Sequence, residues 1–146
     1  MRKIENDIIK WGVLGVGNVC EVKSVPGMYK TPNSEVVAVM RRNRELAMDY
    51  AKRHQIKKWY SEVDELINDP EVNAIYIATP PGSHAELCKK TANAGKPVYV
   101  EKPMARTYAE SLEMIDACEN AGVPLFVAYY RRALPLFLKI KELIET

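Results

Sequence analysis

No C-x-x-C pair occurs in these 146 residues, and the three cysteines, Cys20, Cys88 and Cys118, stand far apart. Their odd number and wide spacing argue against a disulfide framework and a zinc site, and suit a reduced, cytoplasmic protein. No charge of one sign prevails: 21 lysines and arginines face 19 aspartates and glutamates, a net charge of +2. The basic residues are spread along the chain, with no cationic stripe interleaved with aromatics, so neither nucleic acid nor an acidic membrane is called for. No apolar run is long enough to cross a bilayer, and the opening "MRKIENDII" has acidic residues and no long apolar core, unlike a signal or transit peptide. Internal repeats and low-complexity segments are missing too. What is left is a length that suits one domain with a full core, and small-molecule chemistry.

Short apolar runs alternate with helical stretches. "IIKWGVL" (8–14), "EVVAVM" (35–40), "NAIYIAT" (73–79), "PVYVEK" (97–102) and "PLFVAYY" (124–130) are rich in Val, Ile and Tyr, as strands buried on both faces are, and "KKWY" (57–60) adds an edge strand. Thr107 with Glu110 and Ser83 with Glu86 match capping boxes, and Gly95 and Gly122 fall where helix ends need positive φ. Along 108–121, Tyr108, Leu112, Ile115 and Cys118 recur at helical spacing and predict a stripe packed on the sheet, with Cys118 inert. The closing "RRALPLFLKIKELIET" reads as an amphipathic helix with Leu136, Ile140 and Leu143 on one side. Strand, helix, strand, repeated with short connections, predicts a doubly wound α/β fold on a parallel sheet.

"GVLGVGNVC" (12–20) ends the first strand and leads into a helical stretch near Asn18, with Pro26 and Gly27 closing that turn. Gly15 would make the tight turn and Gly17 would let the backbone approach a pyrophosphate held on the free amides of Asn18 and Val19. The third glycine of G-x-G-x-x-G is replaced by Cys20, and two glycines alone are equally compatible with an empty strand-to-helix turn. After the second strand, where an acidic residue would bind the ribose of NAD, stand Arg41 and Arg42, whose guanidinium forks suit a 2′-phosphate and hence NADP, with NAD as the alternative. A solvated basic start to the next helix is the plainer reading. "ATPPGSHAE" (78–86) follows the fourth strand at the carboxyl edge, with two stiffening prolines and His84 in the first turn of a helix; taken alone, such a histidine is a surface residue. His54 lacks even that context and reads as solvated. In "PVYVEKPMA" (97–105), Glu101 and Lys102 end the fifth strand. There Lys102 would lie near a nicotinamide and move a hydroxyl proton while hydride transfers, or else form a surface ion pair.

In order and spacing, "GVLGVGNV", "VVAVMRRN", "YSEVDELINDPEVNAIYIATPPGSHAE", "AGKPVYVEKPMA" and "VAYYRRALP" resemble the glucose-fructose oxidoreductase and inositol dehydrogenase family, Gfo/Idh/MocA, over nearly the whole chain. "EKP" is the most specific element. The resemblance implies a nicotinamide-dependent dehydrogenase or reductase acting on sugars, cyclitols or related polyols, with Lys102 at the reaction centre. It also implies that Thr79, Pro80, Pro81 and His84 line the cofactor cleft, beside Gly15, Gly17, Asn18, Val19, Arg41, Arg42 and Glu101. Arg132, or Arg131 in its place, would reach the same cleft. Residues 1–128 would be the nucleotide-binding domain and 129–146 a connecting helix toward a carboxyl-terminal α+β domain that binds substrate and forms most of a dimer or tetramer interface. The small residue usual at position 20 is a cysteine here, which a packing role accommodates. A nucleotide-sensing or interaction module that kept the fold and lost the chemistry is the alternative, against which the intact "EKP" stands.

Overall fold

The computed structural model describes residues 8–145, so the stretch "MRKIENDII", expected to be neither a signal nor a transit peptide, lies almost wholly outside the described residues. Six strands form one all-parallel sheet: β1 Ile9–Leu14, β2 Ser34–Met40, β3 Lys58–Tyr60, β4 Ala74–Ile77, β5 Val98–Val100 and β6 Leu125–Val127. Their spatial order, β3-β2-β1-β4-β5-β6, is that of two β-α-β halves meeting at a switch point between β1 and β4. The helices are α1 Val25–Lys30, α2 Arg44–Arg53, α3 Val63–Ile67, α4 His84–Asn93, α5 Tyr108–Asn120 and α6 Pro135–Glu145. This is the doubly wound α/β fold that the alternation predicts.

Successive side chains of a strand point to opposite faces, and the core divides accordingly. Leu14, Met40, Ile75, Ile77 and Val100 face Leu66, Leu87, Cys88 and Met114 of α3, α4 and α5. Val13, Val39 and Tyr76 face Val25 and Met28 of α1 and Tyr50 of α2. Gly12 is required where it stands, because a Cβ there would lie 2.6 Å from Leu66 and 2.8 Å from Val72.

Several local expectations hold. Gly95 and Gly122 follow helix ends at φ +70° and +64°, and Thr107 Oγ1 accepts the Glu110 amide at 3.1 Å. Glu110 completes the cap one residue early, its carboxylate accepting the Arg106 amide at 3.0 Å.

Others are corrected. Ser83 does not cap α4: its hydroxyl donates to Thr79 Oγ1 at 2.7 Å. Pro26 and Gly27 do not end the first helical stretch, which runs from 18 to 30 through a π-turn at Cys20–Ser24; Pro26 follows that turn at the start of α1. In the 108–121 helix, Tyr108, Leu112 and Ile115 are exposed while Met114 and Cys118 are buried. The sixth run is an edge strand whose Phe126 is exposed, so it is not buried on both faces. His54 is not solvated: its Nε2 lies 2.9 Å from Glu21 Oε1, and its ring stacks on Tyr50. The predicted stripe of α6 forms, but Leu136, Ile140 and Leu143 are all exposed rather than packed on the sheet.

Candidate dinucleotide-binding cleft

One row of paired residues fixes the geometry. Met40, Leu14, Ile77 and Val100 are register partners across β2, β1, β4 and β5. The residues that follow them, Arg41, Gly15, Ala78 and Glu101, therefore leave the sheet at one carboxyl edge, the edge at which open α/β sheets bind ligands. A cleft of about 890 Å³ opens there.

Its floor is the first loop. Gly15 turns at φ +89°, and a Cβ on it would lie 2.7 Å from Thr79 Cγ2 and 3.0 Å from the Thr79 backbone, so only glycine fits against the β4 loop. Its amide is used, donating to Met40 O at 2.9 Å. Gly17 is the opposite case: a Cβ there would meet nothing within 4 Å, which leaves space above the backbone for a ligand. Gly17 O accepts the amides of Cys20 and Glu21, whereas those of Asn18 and Val19 have no acceptor among the described residues. Open space over Gly17 and two free first-turn amides fit a pyrophosphate. Cys20 is fully buried beneath, its thiol 3.7 Å from Gly15 O, and burial pushes that thiol up to about 12. It is a packing residue at the place of the missing glycine.

The walls come from the two halves of the sheet. Arg41 and Arg42 line one side with Asn43. Arg41 donates to Val16 O at 3.3 Å, which fastens β2 to the loop, while Arg42 stays exposed. Asn43, which sequence reasoning passed over, caps α2 by accepting the Leu46 amide at 2.9 Å; its place between a strand end and a helix was the available signal. Thr79 and Pro80 line the other side, and Pro81 opens the single 3-10 turn that leads into α4.

His84 is fully buried rather than turned into the cleft. Its Nε2 lies 2.7 Å from Thr79 O and its Nδ1 3.0 Å from Pro103 O, so the ring braces the cleft-lining turn against the segment after Lys102. Glu101 accepts the Tyr76 phenol at 2.6 Å and the Lys102 amide at 3.1 Å. Lys102 itself is exposed and makes no ion pair among the described residues, and neither it nor Glu101 is among the residues that line the cavity, though both leave the same edge of the sheet. Arg131 and Arg132 lie in the turn Tyr130–Ala133 past β6, away from the residues that line the cavity. Arg131 sits over the Phe137 ring at 5.9 Å, which leaves Arg132 the less engaged of the two.

Comparison with known proteins agrees with this architecture. The sequence profile of the family GFO_IDH_MocA, described as an oxidoreductase family with an NAD-binding Rossmann fold, matches residues 9–129. Oxidoreductase P35 of Formosa agariphila is 48% identical over 94% of this chain and 43% of its own length. The 1,5-anhydro-D-fructose reductase of Ensifer adhaerens is 34% identical over 84% of this chain and 37% of its own length. Among solved structures, the WlbA dehydrogenase of Bordetella pertussis, crystallised with NADH and UDP-GlcNAcA, superposes with a TM-score of 0.90 at 26% identity, over 98% of this chain and 41% of that one. The chain thus spans about two fifths of the length of these relatives. No described helix is long and apolar enough to cross a membrane. Matched to the family over residues 9–129, the chain belongs to the Gfo/Idh/MocA oxidoreductases and forms their NAD-binding Rossmann domain.

Proposed function

We propose that the whole protein transfers hydride between NADP and a carbinol carbon of a sugar, cyclitol or related polyol, with Lys102 handling the hydroxyl proton. The observation that carries this reading is the convergence, just beyond one row of paired residues, of the glycine loop, the Arg41–Arg42 pair and the Lys102 segment. When bound, the nicotinamide ring would supply the hydride donor or acceptor. Arg41 and Arg42 would hold a 2′-phosphate, and Gly15, Gly17, Asn18, Val19, Thr79 and Pro80 would seat the pyrophosphate and adjoining ribose. Glu101, Pro81 and His84 support that wall from behind, and Arg132 would approach from the segment after β6. Lys102, with no competing carboxylate, would hold a proton at the substrate oxygen and surrender or recover it as hydride moves.

The 1,5-anhydro-D-fructose in the name of one relative and the UDP-GlcNAcA bound to another support the sugar class. On this reading residues 1–128 bind nucleotide, and 129–146 connect to an α+β domain that carries the substrate wall in a cytoplasmic dimer or tetramer. The test is turnover of the full-length protein with NADP and a panel of sugars and cyclitols. Lys102→Ala should lower kcat at least about a hundredfold, the usual contribution of a positioned general acid or base. Unchanged turnover would remove Lys102 from the mechanism, and cofactor binding without turnover on any substrate would favour a nucleotide sensor.

A further inference from the structure

Tyr76, in the middle of β4, is 1% exposed, and its ring lies 5.3 Å from that of Tyr99 on the face covered by α1 and α2. Its hydroxyl meets two partners, Glu101 Oε1 at 2.6 Å and Ser24 Oγ at 2.7 Å. The direction of both bonds follows from the donors available. A carboxylate only accepts, so the phenol hydrogen goes to Glu101, and the Ser24 hydroxyl must then donate to the phenol oxygen. The other Glu101 oxygen accepts the Lys102 amide at 3.1 Å. Ser24 is the last residue of the π-turn, in the helical stretch that begins on the dinucleotide loop. A chain of three hydrogen bonds therefore links that helix through Tyr76 and Glu101 to the backbone of Lys102, with the Glu101 carboxylate accepting from both sides.

We propose that Tyr76 is a positioning residue for Lys102, fixing through Glu101 the start of the E-K-P segment and coupling it to the seating of the first helix. The inference rests on the role proposed above for Lys102. Bonds to an ionised acceptor are roughly twice as strong as neutral ones, so the carboxylate link is the strong one in the chain. Burial and the adjacent carboxylate hold the Tyr76 phenol proton well above the usual tyrosine range, so the phenol keeps the hydrogen it donates.

The experiment is Tyr76→Phe in the full-length protein, which keeps the ring and deletes only the hydroxyl. Two readouts are taken: steady-state kinetics, and amide hydrogen exchange without cofactor at Lys102 and, as a strand control, at Ile77. The expected result is Lys102 exchange faster by about tenfold with Ile77 unchanged, and kcat lower by about tenfold with KM and the cofactor Kd within about twofold, the size of one hydrogen bond to a charged group. Ser24→Ala should move both readouts in the same direction by less. Unchanged exchange and kcat would overturn the proposal, and so would equal acceleration at Lys102 and Ile77, the mark of a merely structural residue. If the Phe variant does not fold, Glu101→Ala decides: it removes both acceptor oxygens, so faster Lys102 exchange with Ile77 unchanged supports the chain and unchanged exchange overturns it. Exchange is read without turnover, so an inert Lys102→Ala result would sink the catalytic role of the lysine while leaving the hydrogen-bond chain separately testable.

Discussion

Gly15 stands at φ +89° with Thr79 where its Cβ would be, so Gly15→Ala meets a strained dihedral and a backbone collision together. A disfavoured dihedral alone costs about 1–3 kcal/mol. Urea unfolding should show a loss of at least that size, and NADP binding by titration should fall with it. The thiols make a second prediction at this scale. Burial raises all three, Cys20 to about 12, and Cys88 and Cys118 face each other at 3.6 Å between α4 and α5. An unfolded thiol ionises near about 8.5, so above that pH the unfolded chain binds fewer protons than the folded one, and stability falls as pH climbs. Urea midpoints at about pH 7.5 and pH 10 should show the decline, Cys20→Ala should flatten it, and a thiol reagent at neutral pH should label the native chain only as it unfolds. Gly15, Gly95 and Gly122 were legible in the sequence because a turn or helix end demands positive φ whatever surrounds it. His84 was less so: which carbonyls its nitrogens meet depends on Pro103, 19 residues away in the chain.

At the scale of elements, strand runs and helix positions follow from composition and period, but the buried face of a helix does not always. Tyr108, Leu112 and Ile115 share helical spacing with Cys118, yet α5 docks through Met114 and Cys118, with Ala117 and Ala121 partly buried beside them. Small residues along that arc let α5 approach α4 closely, and a period alone does not register the fit between two helices. Met114→Ala should therefore cost about 2–5 kcal/mol in urea unfolding, as buried methionines do. Leu112→Ser and Ile115→Ser in this chain should each stay within about 0.5 kcal/mol. The π-turn at Cys20–Ser24 was likewise hidden. No residue type demands it, and its outcome, Ser24 against Tyr76, joins residues 52 positions apart. Ser83 matched a cap in sequence, but its hydroxyl bonds to Thr79 inside the preceding turn.

For the whole molecule, the row Met40, Leu14, Ile77 and Val100 shows why the motifs could be ordered from sequence: each follows a strand, and parallel strands deliver all their carboxyl ends to one edge. Cofactor choice is a property of that edge. Arg42→Ala should weaken NADP at least about tenfold, the loss expected for a bond between charged groups, and leave NAD within about twofold. Equal losses for both dinucleotides would assign Arg42 a general electrostatic role. The measurement can be a thermal midpoint with and without ligand, because the cleft straddles the seam between β1 and β4, with the glycine loop in one half of the sheet and Thr79 in the other. A dinucleotide laid across that seam acts as mortar. At about a hundred times its Kd it adds about 2.7 kcal/mol to folding. Resistance of the folded chain to added protease should therefore rise with the concentration of the dinucleotide.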